Sequence, residues 1–87
     1  MAKLTLKANL SETENNRLKD DYAARLAEKL RELRTNKGMK QEELANAATV
    51  HLTYISHLEA AKYHPSVFVM WKIAKALGVS MNELTDL

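Results

Sequence analysis

Histidine is the side chain best suited to acid–base chemistry near neutral pH, and the sequence holds three: His51, His57 and His64. They are spaced six and seven residues apart, whereas two histidines of a helical metal site are spaced four apart. No pair of carboxylates is placed to converge on one of the rings. The chain has no cysteine, which excludes thiolate metal sites and disulfides. We therefore expect no enzyme, no metal centre and no cofactor.

The histidines lie in or beside a stretch with an interrupted helical pattern, QEELANAATVHLTYISHLE, which spans residues 41–59. Leu44 and Ala48 share one helix face, and Ile55 and Leu58 share another. The segment between the two pairs is too short for a free loop, so a tight turn must join two helices that cross steeply. The pattern predicts a helix-turn-helix, with helices at about 41–47 and 52–60.

The flanking sequence also predicts helices, since the chain has only two glycines and one proline. An apolar stripe of period four precedes the turn, and Gly38 follows it in a position typical of a helix C-terminus. Ser11 and Glu14 form a capping box that can start one long helix, whereas Asp20 and Asp21 can instead cap a separate helix. The apolar stripe that precedes the turn consists of Leu18, Tyr22, Leu26, Leu30 and Leu33.

Both ends of the chain carry boundary signals. Ser66 is a candidate N-cap for a helix over 67–77 that Gly78 ends, and a second capping box at 80–83 opens a final helix that ends at Leu87. At the N-terminus, KLTLK alternates apolar and polar residues and is read as a tail or as an arm that pairs with another chain. We expect an N-terminal extension over 1–21 (tail, arm or helix extension) and one domain over 22–87.

From about residue 24 to residue 87 the sequence resembles the lambda-repressor-like, or XRE-type (Cro/repressor), helix-turn-helix DNA-binding family. The motifs LRELR, G-x-x-QEELA, YIS-x-LE, P-S and KIAKALGVS occur in order. The phrase TYIS-x-LE is also similar to the controller proteins of restriction–modification systems. The resemblance implies an all-α, compact five-helix fold and a sequence-specific regulator of transcription that binds double-stranded DNA. An antitoxin-like or other protein-interaction module with secondary DNA binding is the alternative.

The second helix of the motif is the expected reader of the major groove. At 100° per residue Ile55 and Leu58 point inward, so Thr53, Ser56 and His57 point outward. The resemblance places Leu52 with these three as base-reading residues, and Gln41 at a phosphate. The candidate DNA contacts are Lys40, Gln41, His51, Leu52, Thr53, Tyr54, Ser56, His57, Lys62, Tyr63 and His64.

Four positions depart from the family pattern. Lys40 and His51 stand where a Ser or Thr usually caps a helix, which predicts weaker capping. Thr49 and Ala61 stand where Gly (or, at 49, Asn) is common, and a β-branched residue suits a positive φ poorly.

Arg34 and Glu59 correspond to a family pair that joins the first helix to the end of the recognition helix. The resemblance therefore implies a partly buried structural ion pair.

The predicted helix over 67–77 carries apolar residues on more than one face. Its predicted core stripe is Val67, Met70, Ile73, Ala74 and Leu77, which leaves Phe68, Val69 and Trp71 outside the core. Exposed apolar patches more often mark interfaces than solvated surface. We expect a homodimer through Phe68, Val69, Trp71, Met81, Leu84 and Leu87.

The remaining expectations concern the setting of the protein. A net charge of +2 is too small to identify a nucleic-acid partner by itself. No apolar run is long enough to span a membrane, so we expect a cytoplasmic, nucleoid-associated protein with no membrane partner. The chain stops soon after the fifth predicted helix, so we expect no small-molecule effector domain.

Overall fold

The computed structural model describes residues 10–87, and this part contains five helices and no strand. The KLTLK segment, predicted as a tail or an arm, lies outside the described residues. The predicted all-α, five-helix architecture is confirmed, and the bounds of the two motif helices differ from the predicted ones by one residue at most. The helices are α1 (Glu12–Asn36), α2 (Gln41–Ala48), α3 (Leu52–Glu59), α4 (Val67–Leu77) and α5 (Met81–Thr85).

The first helix is one continuous helix of 25 residues. The Ser11 hydroxyl accepts a hydrogen bond from the Glu14 amide at 3.1 Å, and the Glu14 carboxylate accepts one from the Ser11 amide at 3.0 Å. This capping box starts the helix, so Asp20 and Asp21 lie within it instead of capping a second one. The predicted boundary between residues 21 and 22 therefore falls inside α1, and residues 12–21 are a helix extension. Leu18, predicted in the apolar stripe, lies on this extension and is exposed.

The core forms where the inward faces of all five helices meet. α1 packs against α3 and α5, α2 packs against α3 and α4, and α5 also packs against α4. The fully buried side chains at the centre are Leu30, Leu44, Ile55, Leu58, Ile73 and Leu84. Burial of each such side chain contributes roughly 1.5–3 kcal/mol relative to exposure, and this packing holds α2 and α3 at the surface of the domain.

Two positions were predicted on the wrong side of the core boundary. Val67 was predicted in the core stripe of α4, but it is the first residue of the helix and is 73 % exposed, because the buried face of α4 begins one turn later, at Met70. Leu84 was predicted at a dimer interface, but it is 1 % exposed and belongs to the core. The short α5 docks on α1 and α4 together, so its single inward residue is fully covered.

The part of the chain that the structure describes has no helix both long and apolar enough to cross a membrane.

Candidate nucleic-acid interface

The turn between α2 and α3 depends on one residue with left-handed backbone angles. Thr49 has φ 57° and ψ 50°. Its amide donates to the Asn46 carbonyl at 3.2 Å, and the next amide, of Val50, donates to the Ala45 carbonyl at 3.0 Å. The left-handed conformation costs a residue with a Cβ roughly 1–2 kcal/mol, so the turn is formed against the intrinsic preference of threonine.

The starts of α2 and α3 are capped differently. The Nδ1 atom of His51 accepts a hydrogen bond from the Thr53 amide at 3.1 Å, so α3 keeps a side-chain cap and the expectation of weaker capping there is wrong. Lysine has no acceptor, so Lys40 cannot cap α2 with its side chain. The Glu43 carboxylate accepts from the Lys40 amide at 2.7 Å, which completes half of a capping box.

Glu59, the last residue of α3, is the only buried charged residue among residues 10–87. Arg34 of α1 binds it through two parallel hydrogen bonds, from Nε to Oε2 at 2.6 Å and from Nη2 to Oε1 at 2.9 Å. The two side chains are 13 % and 2 % exposed. Arg34 also donates to the Met39 carbonyl at 2.7 Å, and the hydrogen bond with Glu59 raises the pKa of Arg34 above its usual value. This bidentate pair fixes the end of α3 to α1 and to the loop before α2.

Gln41, a candidate DNA contact, binds the same carboxylate, and Ser56, another candidate, binds Gln41. The Gln41 side-chain amide donates from Nε2 to Glu59 Oε1 at 3.0 Å, and its Oε1 accepts from the Ser56 hydroxyl at 2.9 Å. The first residue of α2 and the middle of α3 are thereby joined side chain to side chain. Gln41 keeps a second N–H, and Ser56 keeps its acceptor capacity, so both can still meet a ligand in a fixed orientation.

The sequence analysis missed one member of this group. Arg31 donates from Nη2 to the backbone carbonyl of Glu59 at 2.6 Å, and its Nε lies 3.7 Å from the Glu59 carboxylate. Its position three residues before Arg34, on the same face of α1, was the available signal. We call Arg31, Arg34, Gln41, Ser56 and Glu59 the Glu59 network.

The outward surface of α3 combines exposed and packed residues. Leu52 and Thr53 are exposed, whereas Tyr54 and His57 are half-buried. The Tyr63 ring, from the segment after α3, packs against both: its centroid is 4.9 Å from that of His57 and 5.1 Å from that of Tyr54. Burial, together with the nearby Tyr63, raises the pKa of Tyr54 above its usual value. We call Tyr54, His57 and Tyr63 the aromatic cluster.

The other predicted contacts lie in different places. Lys40 and Lys62 are exposed at the start of α2 and after α3. His64 turns toward α1: its Nε2 is 3.2 Å from the Lys19 carbonyl, and its ring stacks on Tyr22 with a centroid distance of 6.3 Å. The structure therefore brings Lys40, Gln41 and the outward residues of α3 to one surface and places His64 against the helix extension.

A second surface is formed by the outer side of α4, and we call its exposed residues Val67, Phe68 and Trp71 the apolar α4 surface. Phe68 is 63 % exposed and Trp71 48 % exposed. The ammonium of Lys72 lies 5.2 Å from the centre of the Phe68 ring, and that of Lys75 lies 5.2 Å from the centre of the Trp71 ring.

The remaining predicted interface residues contribute less to this surface. Val69 and Met81 are half-buried and pack against the core. Leu87 is exposed, but its backbone carbonyl accepts a hydrogen bond from Arg25 of α1 at 3.0 Å. Leu84, in the core, is unavailable to a partner.

Comparison with known proteins points to one family. The family model described as Helix-turn-helix matches residues 30–84. The chain is 38 % identical over 82 residues to a hypothetical transcription factor of Neisseria meningitidis, an alignment that covers 94 % of this chain and 72 % of that protein. It is 32 % identical over 62 residues to the HTH-type transcriptional regulator DdrOP3 of Deinococcus deserti, which covers 71 % of this chain but 48 % of that regulator. The chain thus spans about half the length of DdrOP3.

Among solved structures, the restriction–modification controller protein C.AhdI from Aeromonas hydrophila superposes with a TM-score of 0.70. The two chains share 34 % identity, and the match covers 71 % of this chain and 94 % of the controller protein. The likeness to XRE-type regulators and to controller proteins predicted from the sequence is confirmed.

Proposed function

Because the chain belongs to the helix-turn-helix, XRE-type family of DNA-binding transcription regulators, we propose that it recognises a specific double-stranded DNA sequence with α3 in the major groove. The observation that carries this proposal is the difference between the two sides of α3. The inner side is fixed by Ile55, Leu58 and Glu59, all buried, whereas Leu52 and Thr53 are exposed at the N-terminal end that enters a groove.

The side chains on this surface suit separate tasks. Thr53 can hydrogen-bond to a base or contact a thymine methyl, Leu52 can contact that methyl, and His57 can donate to guanine N7 or O6. Gln41 lies at the start of α2, where free backbone amides and the helix dipole favour a phosphate. Lys40 and Lys62 supply positive charge at the edges of the surface.

We further propose that the regulator acts as a homodimer at the nucleoid, in the cytoplasm. Glu42 and Glu43 lie exposed in the first turn of α2, beside the DNA-facing surface, so their charge opposes phosphates and limits the affinity of one copy. The apolar α4 surface supplies a self-complementary contact. Two copies related by a two-fold axis would read half-sites about one DNA turn, ~34 Å, apart, so the operator is expected to be a pseudo-palindrome.

The test is a selection of bound sequences from a random duplex pool, followed by titration of the selected and a random duplex at two salt concentrations. We expect tighter binding to the selected duplex, with log affinity falling linearly against log salt. Equal affinity for both duplexes would contradict sequence-specific recognition.

The second candidate function is that of an antitoxin-like or other protein-interaction module. The exposed Phe68 and Trp71 favour it, since an apolar surface of this kind serves a partner protein as well as a second copy. Absence of binding to any duplex at low salt, where the phosphate contacts are strongest, would favour this alternative over a DNA-binding regulator.

A further inference from the structure

The chain turns back over α3 immediately after the helix ends. Ala61 has φ 61°, in the left-handed region. Its amide donates to the Leu58 carbonyl at 3.1 Å, and the Lys62 amide donates to the His57 carbonyl at 2.9 Å. Such a left-handed C-terminal motif redirects the chain at a helix end. The next residue, Tyr63, is thereby returned to the outward side of α3.

Tyr63 meets two side chains one helical turn apart. The planes of its ring and of the His57 imidazole are at 89°, the edge-to-face arrangement, and the ring lies tilted at 51° to that of Tyr54. Aromatic pairs with such geometry contribute beyond the area that they bury. Tyr63 therefore supports His57 from outside the recognition helix.

The two nitrogens of His57 are in different environments. Nδ1 is buried and has no hydrogen-bond partner among residues 10–87. A base edge that approaches from solvent cannot reach a buried nitrogen, so Nε2 is the ring nitrogen left for recognition. Tyr63 is the aromatic side chain packed edge-to-face on this ring.

We propose that Tyr63 is a positioning residue for sequence recognition: it holds the His57 ring so that Nε2 donates to a purine acceptor, guanine N7 or O6, in the major groove. This inference rests on the proposed function and deepens it by naming the residue that positions the base-reading side chain. An unsupported histidine on a helix surface samples several rotamers, and ordering one of them on binding opposes association. A ring already packed in place avoids that ordering and favours a base that presents an acceptor at that position, as guanine does at both N7 and O6.

This role differs from the direct DNA contact predicted for Tyr63 from the sequence. A phosphate contact uses the phenolic hydroxyl, whereas positioning uses the ring. Tyr63→Phe keeps the ring and removes the hydroxyl, and Tyr63→Ala removes both, so the two variants separate the roles.

The experiment measures the affinity of wild type, His57→Ala, Tyr63→Phe, Tyr63→Ala and the double alanine variant for the selected duplex and its single-base-pair changes. We expect His57→Ala to reduce discrimination at one guanine-containing base pair by on the order of tenfold. Tyr63→Ala should reduce discrimination at the same base pair, Tyr63→Phe should leave it unchanged, and the double variant should lose no more discrimination than His57→Ala.

A second measurement needs no DNA. The His57 ring protons of the free protein, observed by NMR, should shift in Tyr63→Ala and keep their wild-type positions in Tyr63→Phe, because the ring current of the aromatic ring is kept. An unshifted His57 in Tyr63→Ala would overturn the packing on which the inference stands.

The DNA measurements supply the other contradicting outcomes. Equal losses in Tyr63→Phe and Tyr63→Ala would assign a hydroxyl contact, and full discrimination in Tyr63→Ala would remove the positioning role. A wild type without sequence preference would refute the proposed function, and the base-reading role with it, while the NMR result would still report on the packing.

Discussion

The Glu59 network and the apolar α4 surface are opposites: the first buries a charged group, and the second exposes apolar side chains. In the network a buried carboxylate accepts hydrogen bonds from Arg34 and Gln41, so an ionised group is kept inside the domain. On the α4 surface, Phe68 and Trp71 are exposed, and a lysine ammonium group lies over each ring. A buried charge is destabilising unless groups of the same chain pair with it. An exposed aromatic side chain needs no partner within the chain and can be covered by a second molecule. The first region therefore determines how α3 is held, and the second is the surface proposed to join two copies.

Removing one side of the ion pair is the change with the largest expected effect. Arg34→Ala leaves the Glu59 carboxylate buried with less than its full set of donors, which we expect to lower the free energy of unfolding by about 3–5 kcal/mol. Replacing both residues, as Arg34→Met with Glu59→Leu, should recover part of the loss, because no charge is then left unpaired. The recovery should be incomplete, since Gln41 loses its acceptor and Arg31 loses the carboxylate of its ion pair, although Arg31 keeps the backbone carbonyl of residue 59 as an acceptor. Urea denaturation of wild type and of these two variants measures both effects.

The chain contains a matched control for this prediction. Asp21 and Arg25 form an ion pair of 2.9 Å on the surface of α1, with both side chains more than half exposed. Asp21→Ala should therefore change stability by less than about 1 kcal/mol. If Arg34→Ala is no more destabilising than Asp21→Ala, the buried pair does not hold α3 as described.

The second prediction concerns the α4 surface. Phe68→Glu places a charge at the centre of the proposed dimer contact, where desolvating it is unfavourable. We expect the dimer dissociation constant, measured by sedimentation equilibrium, to rise about a hundredfold, equivalent to about 3 kcal/mol. Operator affinity should fall in parallel, because the two recognition helices are no longer joined.

Leu18→Glu is the control for this change, since Leu18 is another exposed apolar residue but lies on the helix extension of α1. It should leave the dimer intact. A wild-type protein that is monomeric at high micromolar concentration, or a Phe68→Glu protein that still dimerises, would show that the α4 surface does not join copies.

Local signals predicted where most helices begin, although they left open whether α1 is one helix or two, and long-range contacts account for most of the other differences. Ser11, Ser66 and Ser80 each cap the helix predicted to follow them, because a cap and its partner amide lie within a few residues. The hydrogen bond between Gln41 and Ser56 joins two helices, and spacing along the chain does not reveal whether an outward polar residue is already engaged. The burial of Leu84 likewise depends on two other helices at once.

The candidate site was predictable as a surface but not as a set of oriented side chains. The periodicity of α3 separates Ile55 and Leu58 from the outward residues, and the structure has the same division. Tyr63 packs against His57 because the backbone of Ala61 has left-handed angles. An alanine in the sequence does not predict this conformation. The same applies to His51, which caps α3 through its imidazole although serine or threonine is the usual cap.

The smallest expected effect concerns Thr49, the residue of the turn between α2 and α3 that also contacts α4. Its carbonyl accepts a hydrogen bond from Lys72 at 3.1 Å, and Lys72 also covers the Phe68 ring. Thr49→Gly removes the steric cost of φ 57°, about 1–2 kcal/mol, and adds roughly 0.5–1 kcal/mol of chain entropy lost on folding. We therefore expect a stabilisation of about 0.5–1 kcal/mol, with dimerisation unchanged because Lys72 bonds to a backbone atom that glycine keeps.

Ala24→Gly, at an exposed position within α1, should have the opposite sign and destabilise by about 0.5–1 kcal/mol. Thermal unfolding of both variants tests the comparison, and a Thr49→Gly protein that melts below wild type would show that the turn carries no relievable strain.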